Sequence, residues 1–358
     1  MATPHKNHMK SLIISDIHLT NETNENYRWD VFALAKQYVI DLHCDCLFIL
    51  GDIFDKKDRH PSSIVNRLTD ILLDIAKLTP ITILKGNHDY INPNEPFLRF
   101  LNHIPNVYWI NQPTIIRYGN ITVGWLPHSR TPELDWEVFL TKHQFDLIFM
   151  HQSVIGCRTS NDFEINHALD LAWLERLVKC PIISGDIHVP QTIRSLTYVG
   201  TQHPVSFGDD YDYRMLVTTF TDRIKVESIP IESMKRHSLN VTGIDDLRTL
   251  VDSGKLRKGD QAKLKINLTE ETLSNWTHLK TTMVAWCASQ GIQVEDVKLK
   301  KLENNEPSEL LDKSAKAGYA PNHPLEALAR FTNTGIDPKI SKIGESLLLE
   351  VLNETVAS

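Results

Sequence analysis

Residues 12–18 read Leu-Ile-Ile-Ser-Asp-Ile-His, and residues 47–55 read Leu-Phe-Ile-Leu-Gly-Asp-Ile-Phe-Asp. Each is a short apolar run that stops in side chains able to bind a metal. The pattern recurs further along. Ile81–Leu84 passes through Lys85 into Gly86-Asn87-His88-Asp89, Leu147–Met150 stops at His151, and Pro181–Ser184 stops in Gly185-Asp186-Ile187-His188. Apolar runs of this length, each followed by turn residues, read as buried strands. In open α/β sheets ligands gather beyond the carboxyl ends of the strands, where loops are free to present side chains. One such cluster arises easily by chance. Five in chain order, each at the end of a strand, predict a single site.

The ligand types narrow the chemistry. Aspartate, histidine and an asparagine carbonyl, without a thiolate, suit manganese, iron or a magnesium-like octahedral ion better than a structural zinc. One carboxylate shared between two cations makes the clamp that stabilises attacking and leaving oxygens of a phosphate ester. The glycines before Asp52, Asn87 and Asp186 are expected where the backbone turns sharply beside the ions.

Outward from these clusters the first half alternates strands with amphipathic segments, which predicts a layered α/β or α+β architecture. Val31, Leu34, Ala35, Tyr38, Val39 and Leu42 share one helical face, as do Ile64, Leu68, Ile71, Leu72 and Ile75 behind a helix start at Pro61-Ser62-Ser63. Further strands are expected at Ile121–Leu126, Ile193–Val199, Met215–Thr219 and Ile224–Ile229. Past about Ser233 the texture changes. Arg248, Lys255, Arg257, Lys258, Lys263 and Lys265 face only Asp252 and Asp260 over residues 248–265. Strand-like Ala262–Leu268, helical Leu273–Ser289 and strand-like Gln293–Leu299 predict a small α+β module. The reading divides the chain into a main domain over 10–234, a capping domain over 235–302, a polar linker over 303–323 and a helical pair over 324–355. Leu325, Leu328 and Phe331 mark the first of those helices, and Ile340, Ile343, Leu347, Leu348 and Val351 the second.

Composition bounds the function. The 358 residues are 41% hydrophobic and 23% charged, ordinary for a globular chain with a sizeable core. Five cysteines without a C-x-x-C pair argue against a disulfide framework or a cysteine zinc site. A net charge of −7 excludes coating nucleic acid by bulk charge, but not an enzyme whose bound cations reverse the local field. No signal peptide or membrane span is expected, so the reading is a cytoplasmic chain with no membrane partner. No G-x-x-x-x-G-K-[ST] occurs, which excludes a P-loop ATPase.

The order of these motifs resembles the calcineurin-like metallophosphoesterase superfamily. Two further stretches, His60-Pro61-Ser62 and the run Tyr198-Val199-Gly200-Thr201-Gln202-His203-Pro204-Val205-Ser206-Phe207-Gly208, are similar to SbcD-type exonuclease subunits. The resemblance covers about 10–235 with specific motifs and the rest more loosely. Phage recombination nucleases are similar as well, so bacterial and phage sources both fit. The resemblance implies a metallophosphoesterase β-sandwich flanked by helices, with a small α+β capping domain and a C-terminal helical pair. It implies two divalent ions, manganese first, with magnesium and iron as alternatives. Asp16, His18, Asp52 and His188 would hold one ion; Asp52, Asn87, His151 and Asp186 the other. His88 would act on the scissile phosphate or protonate the leaving oxygen, and Asp55 and Asp89 would orient histidines. Asp186 departs from the family pattern, which usually has histidine there.

The implied activity is duplex-end exonuclease and single-strand endonuclease hydrolysis of DNA, in a complex with an SMC-like ATPase of SbcC type, for end processing, recombination and repair. The tail stripes from Leu325 to Val351 would dock on that ATPase. A homodimer would pair through helices at about 64–76 and 96–103, with Leu72, Leu73 and Phe97 as contacts. Lys56, Lys57 and Arg59 beside the second cluster are candidate contacts to DNA phosphates. Trp125, Trp136, Trp276 and His128 read as packing. Two alternatives stay open: a phosphatase or phosphodiesterase on a small molecule or phosphoprotein, and a catalytically weak DNA-binding subunit.

Overall fold

Parallel registers bring the five clusters to one edge. In the computed structural model, which describes residues 8–160, 162–209, 211–267 and 275–300, β1 (Met9–Ile14) runs beside β2 (Cys46–Ile49) with Ile14 opposite Ile49. Next come β3 (Ile81–Leu84) and β4 (Val107–Ile110), also parallel. The antiparallel pair β11 (Arg214–Phe220) and β12 (Ile224–Pro230) completes this first sheet on the other side of β1, giving the order β12-β11-β1-β2-β3-β4.

A second six-stranded sheet holds β5 (Thr114–Tyr118), β6 (Ile121–Leu126), β7 (Leu147–His151), β8 (Ile182–Gly185), β9 (Gln191–Ile193) and β10 (Leu196–Tyr198), in the order β5-β6-β7-β8-β10-β9. His151 pairs in register with Gly185, so the two clusters after β7 and β8 are neighbours by construction.

The central strands are buried on both faces, which is why they read as unbroken apolar runs. Ile13, Phe48, Leu50 and Leu84 pack against Val123, Trp125, Leu147, Phe149 and Ile183 between the sheets. Trp125 stands edge-on to Phe48 with centroids 4.9 Å apart and lies 4.6 Å from Phe149, contacts worth about 0.5–1.5 kcal/mol each beyond their area. On the outer face of the first sheet, Leu12, Ile14, Leu47 and Ile49 meet α1 (Asp30–Asp41) and α2 (Ser62–Ala76). Outside the second sheet, Ile148, Met150 and Ile182 meet α3 (Pro132–Lys142) and α4 (Leu171–Leu177). Two packed sheets flanked by helices match the expected sandwich.

The third sheet is parallel, in the order β13 (Arg236–Val241), β14 (Gln261–Asn267), β15 (Gln293–Lys300). Ala262, Leu264 and Ile266 cover a small core with Leu247 of α5 (Ile244–Asp252) and Met283 and Cys287 of α6 (Trp276–Ser289). The alternate residues Lys263 and Lys265 are exposed on the other face, as a half-covered strand requires.

Some expectations change. The single strand expected at Ile193–Val199 is a hairpin, because Arg194 adopts a left-handed φ of 56° and turns β9 back onto β10. α3 has no clean stripe in sequence: Trp136 and Leu140 are buried, but Leu134 and Val138 face outward. Leu72 lies in the core under α2, which leaves Leu73 and Phe97 exposed among the expected dimer contacts. The linker 303–323 and the helical pair 324–355, with the tail residues from Leu325 to Val351, lie outside the described residues. Among those described, no helix is long and apolar enough to cross a membrane.

Candidate metal centre

Each strand end contributes a side chain, and the loops that carry them are unusually bent. Asp16, His18, Asp52 and Asp186 have φ values of 55°, 49°, 53° and 82°, in the left-handed region. That conformation costs about 1–2 kcal/mol for a residue with a β-carbon. Four of them on three adjacent loops persist only because surrounding structure holds them, a pattern that clusters at functional sites.

The restraints are specific. His18 N–H donates to the Asp52 carbonyl at 2.9 Å, and Asp186 N–H donates to Asp16 Oδ1 at 3.0 Å. Ser15 Oγ donates to the other Asp16 oxygen, and Gln202 Oε1 accepts the Ser15 N–H at 3.2 Å. Asp89 was expected to orient a histidine. Instead its carboxylate accepts three loop amides: Gly86 at 2.7 Å, Asp52 at 3.0 Å and Ile53 at 3.0 Å. It ties the second loop to the third. Asp55 does sit near histidines: its carbonyl lies 2.5 Å from His88 Nδ1, and its carboxylate 3.8 Å from His18 Nδ1.

The glycines act in two ways. Gly51 needs its φ of 90°. Gly86 has no such need, but a β-carbon there would strike the Asp52 carboxylate and lie 2.9 Å from the His151 ring.

Three overlapping groups of donors converge: Asp16, His18 and His188; His18, Asp52 and His88; and Asp16, Asp52 and His151, each with ligand atoms within 4.8 Å of one another. Asp186 Oδ1 lies 3.7 Å from His151 Nε2, and Asn87 Oδ1 lies 3.1 Å from it. The expected ligands are therefore brought together, all seven of them.

Their mutual contacts fit cations. His151 Nδ1 lies 2.5 Å from the Leu50 carbonyl, to which it donates, so its Nε2 is the free ligand atom facing three carboxylates. His18 Nε2 faces His188 Nε2 at 3.1 Å. Asn87 Oδ1 points at both Asp52 oxygens, 2.9 and 2.7 Å away, a repulsive contact unless a cation lies between or the amide turns to donate. The donor set of carboxylates, imidazoles and an amide, with no thiolate nearby, suits hard divalent ions.

Electrostatics follow from burial and crowding. Burial pushes Asp16 up to about 6, against the pull of His151. Burial also opposes charge on Asp52, but His151, His18 and His88 outweigh it and hold this carboxyl far below its ordinary range. His18 is driven down by burial, while on His151 the carboxylates of Asp52, Asp16 and Asp186 overcome burial and raise it. Burial raises Asp186 as well. Asp16 and Asp52 are each shared by two donor groups, and of the two Asp52 is the more firmly ionised.

Lys56, Lys57 and Arg59 are exposed on the loop after Asp55. Two features were not legible in the sequence. Arg28 is buried with Nη1 2.6 Å from the His18 carbonyl. His128, expected to pack, is half-buried, with Nδ1 2.9 Å from the Tyr90 hydroxyl and its ring 6.2 Å from His151. The proline before His128 hid it, since a strand-ending Pro-His carries no motif.

Comparison with known proteins adds four facts. The calcineurin-like phosphoesterase family profile matches residues 9–190, about half of the chain. Phosphoesterase 244L of invertebrate iridescent virus 6 is 27% identical over 265 residues, 68% of this chain and 88% of that protein. The UDP-2,3-diacylglucosamine hydrolase of Shewanella loihica is 25% identical over 145 residues, 37% of this chain and 58% of the hydrolase. Among solved structures, a dimetal phosphatase from Danio rerio covers 62% of this chain and 95% of its own, at 13% identity and a TM-score of 0.39.

Proposed function

Since the chain belongs to the calcineurin-like phosphoesterase family, we propose that it is a two-metal phosphodiesterase acting on DNA ends, of the SbcD type. Its partners would be DNA and an SMC-like ATPase, its ions manganese, and its assembly a homodimer. The observation that carries this reading is the place of the third sheet. The run Tyr198–Gly208, whose sequence resembles that of SbcD subunits, ties the sheet to the loop that bears His18: Arg28 and Arg236 both donate to the Val205 carbonyl, at 3.2 and 3.1 Å. A hydrolase of small phosphate esters would have no need of a second module tied to a metal-binding loop.

Two divalent ions, when bound, supply charge to the phosphate oxygens and to the attacking water. The chain's own residues do the rest. Asp16, His18, Asp52 and His188 would hold one ion, and Asp52, Asn87, His151 and Asp186 the second. His88 has Nδ1 tied to the Asp55 carbonyl and its N–H to Asp52 Oδ1 at 2.8 Å. With Nδ1–H spent on that carbonyl, Nε2 would donate to the phosphate or the leaving oxygen only in the imidazolium form of the ring. Lys56, Lys57 and Arg59 would take neighbouring phosphates of a polymer.

A second reading rests on the Shewanella hydrolase: cleavage of a nucleotide-linked small molecule. One assay separates the two. Purified protein with Mn2+ is given linear duplex DNA, single-stranded DNA, a UDP-linked sugar and an aryl phosphodiester, with and without an SbcC-type ATPase. Degradation of both DNA substrates, enhanced on duplex by the ATPase and ATP, is expected. Turnover confined to the UDP-linked sugar or the aryl ester would overturn the nuclease reading.

A further inference from the structure

The turn between β1 and α1 carries a charge chain that leads from a metal-binding loop to the third sheet. Arg28 grips the His18 carbonyl at 2.6 Å, while His18 N–H is held by Asp52. The two bonds restrain the peptides on both sides of a residue whose φ of 49° is otherwise unfavourable. A buried guanidinium needs anionic partners. Arg28 has Glu25 Oε1 at 2.9 Å and Asp55 Oδ1 at 3.6 Å.

The same Glu25 oxygen accepts Arg236 Nη1 at 2.8 Å, and Arg236 is the first residue of β13. Glu25 Oε2 is occupied by the Thr20 hydroxyl at 2.9 Å, so the carboxylate has no free side on which to turn. Arg236 lies over the Phe207 ring at 4.1 Å, with the Lys263 ammonium of β14 at 4.2 Å from the same ring. Both arginines keep a buried Nε–H without a partner among the described residues. Glu25 and the Val205 carbonyl are the partners that the two arginines share. One carboxylate thus separates two guanidiniums that would otherwise repel each other.

We infer that Arg28 is a positioning residue for His18, and that Glu25 and Arg236 make its grip depend on the third sheet. The inference rests on the reading of His18 as a metal ligand. Loosening the sheet at Arg236 lets Glu25 and Arg28 move, and the His18 loop relaxes from its ligating pose. Residues that orient metal ligands change affinity by about 10–100-fold when lost.

The test is Mn2+ titration calorimetry on the full chain, with circular dichroism and thermal melting as checks on folding. Arg236→Gln is expected to weaken one of the two ions about tenfold and spare the other. Glu25→Gln is expected to weaken it further, because it leaves two guanidiniums facing each other. Asn24→Ala removes a different link between the same parts, Asn24 Nδ2 to Glu295 at 3.1 Å, and should bind both ions as the parent does. Arg236→Lys keeps the charge without the planar fork and should show a smaller loss in the same direction; it decides the matter if Arg236→Gln fails to fold. Parent-level affinity in both Arg236 variants overturns the proposal, as does an equal loss in Asn24→Ala. A parent that binds no Mn2+ overturns the metal reading itself, and the proposal with it.

Discussion

Asp186 supplies a third carboxylate where the resemblance expects an imidazole. Its backbone amide is already committed to Asp16, and its side chain lies 3.7 Å from His151 Nε2. A shorter, charged ligand lowers the positive charge that two ions would present and favours hard, oxygen-loving cations. Asp186→His should therefore raise the zinc content of purified protein relative to manganese, measured by elemental analysis after exposure to both metals. Unchanged metal content would show that Asp186 does not ligate. Asp52 and His88 are predicted to separate by the same measurement. Asp52→Ala, which removes a carboxylate common to two donor groups, should lose bound metal and turnover together. His88→Ala should keep its metal and lose about 10²–10⁴-fold in kcat, the range for a lost proton donor.

The loops and strand ends act as units, and the third sheet shows how a polar group can hold one together. Asp260 accepts the amides of Lys235 and Arg257, both at 2.8 Å, and His237 Nε2 lies 3.0 Å away. Burial opposes its charge, but these donors outweigh it, and its carboxyl is held below the ordinary value of 3.8. A depressed folded-state value means stability that is full above the unfolded value and lost as pH falls through the folded one. The sheet should thus loosen below about pH 4, where the unfolded carboxylate begins to protonate. Asp260→Asn should cost about 1.5–3 kcal/mol at neutral pH and flatten that acid dependence, followed by thermal melting from pH 7 to pH 3. In the metal centre, Gly86→Ala forces a β-carbon into the Asp52 carboxylate. It should lower both stability and metal content, whereas a substitution on the open Gly119 turn meets no such contact.

At the scale of the whole molecule, the chain divides into two units between Lys300 and Lys301. Deleting residues 324–358 should leave a soluble phosphoesterase with the parent's melting temperature that no longer co-purifies with an SbcC-type ATPase. Retained association would move that interface elsewhere. A large drop in melting temperature would make Ile340, Ile343, Leu347, Leu348 and Val351 part of a core.

The strands that carry the site were legible in sequence because a buried parallel strand is an unbroken apolar run, and its carboxyl end is where ligand clusters gather. That rule marked the five clusters, and the family resemblance picked out Asp16, His18, Asp52, Asn87, His151, Asp186 and His188 within them. The α1 and α2 faces were legible for the same reason, a one-sided core. Edge strands such as β4 and β5, and the short helix α4, bury less and carry a weaker pattern. Only the tertiary structure could show that Asp89 ties backbone amides and that His128 stands beside His151. The same holds for Arg28, whose hold on His18 is tied through Glu25 to Arg236, 208 positions later in the chain. Period and composition record which side chains seek the core or a metal. They carry no trace of a hydrogen bond between residues that only folding brings within 3 Å.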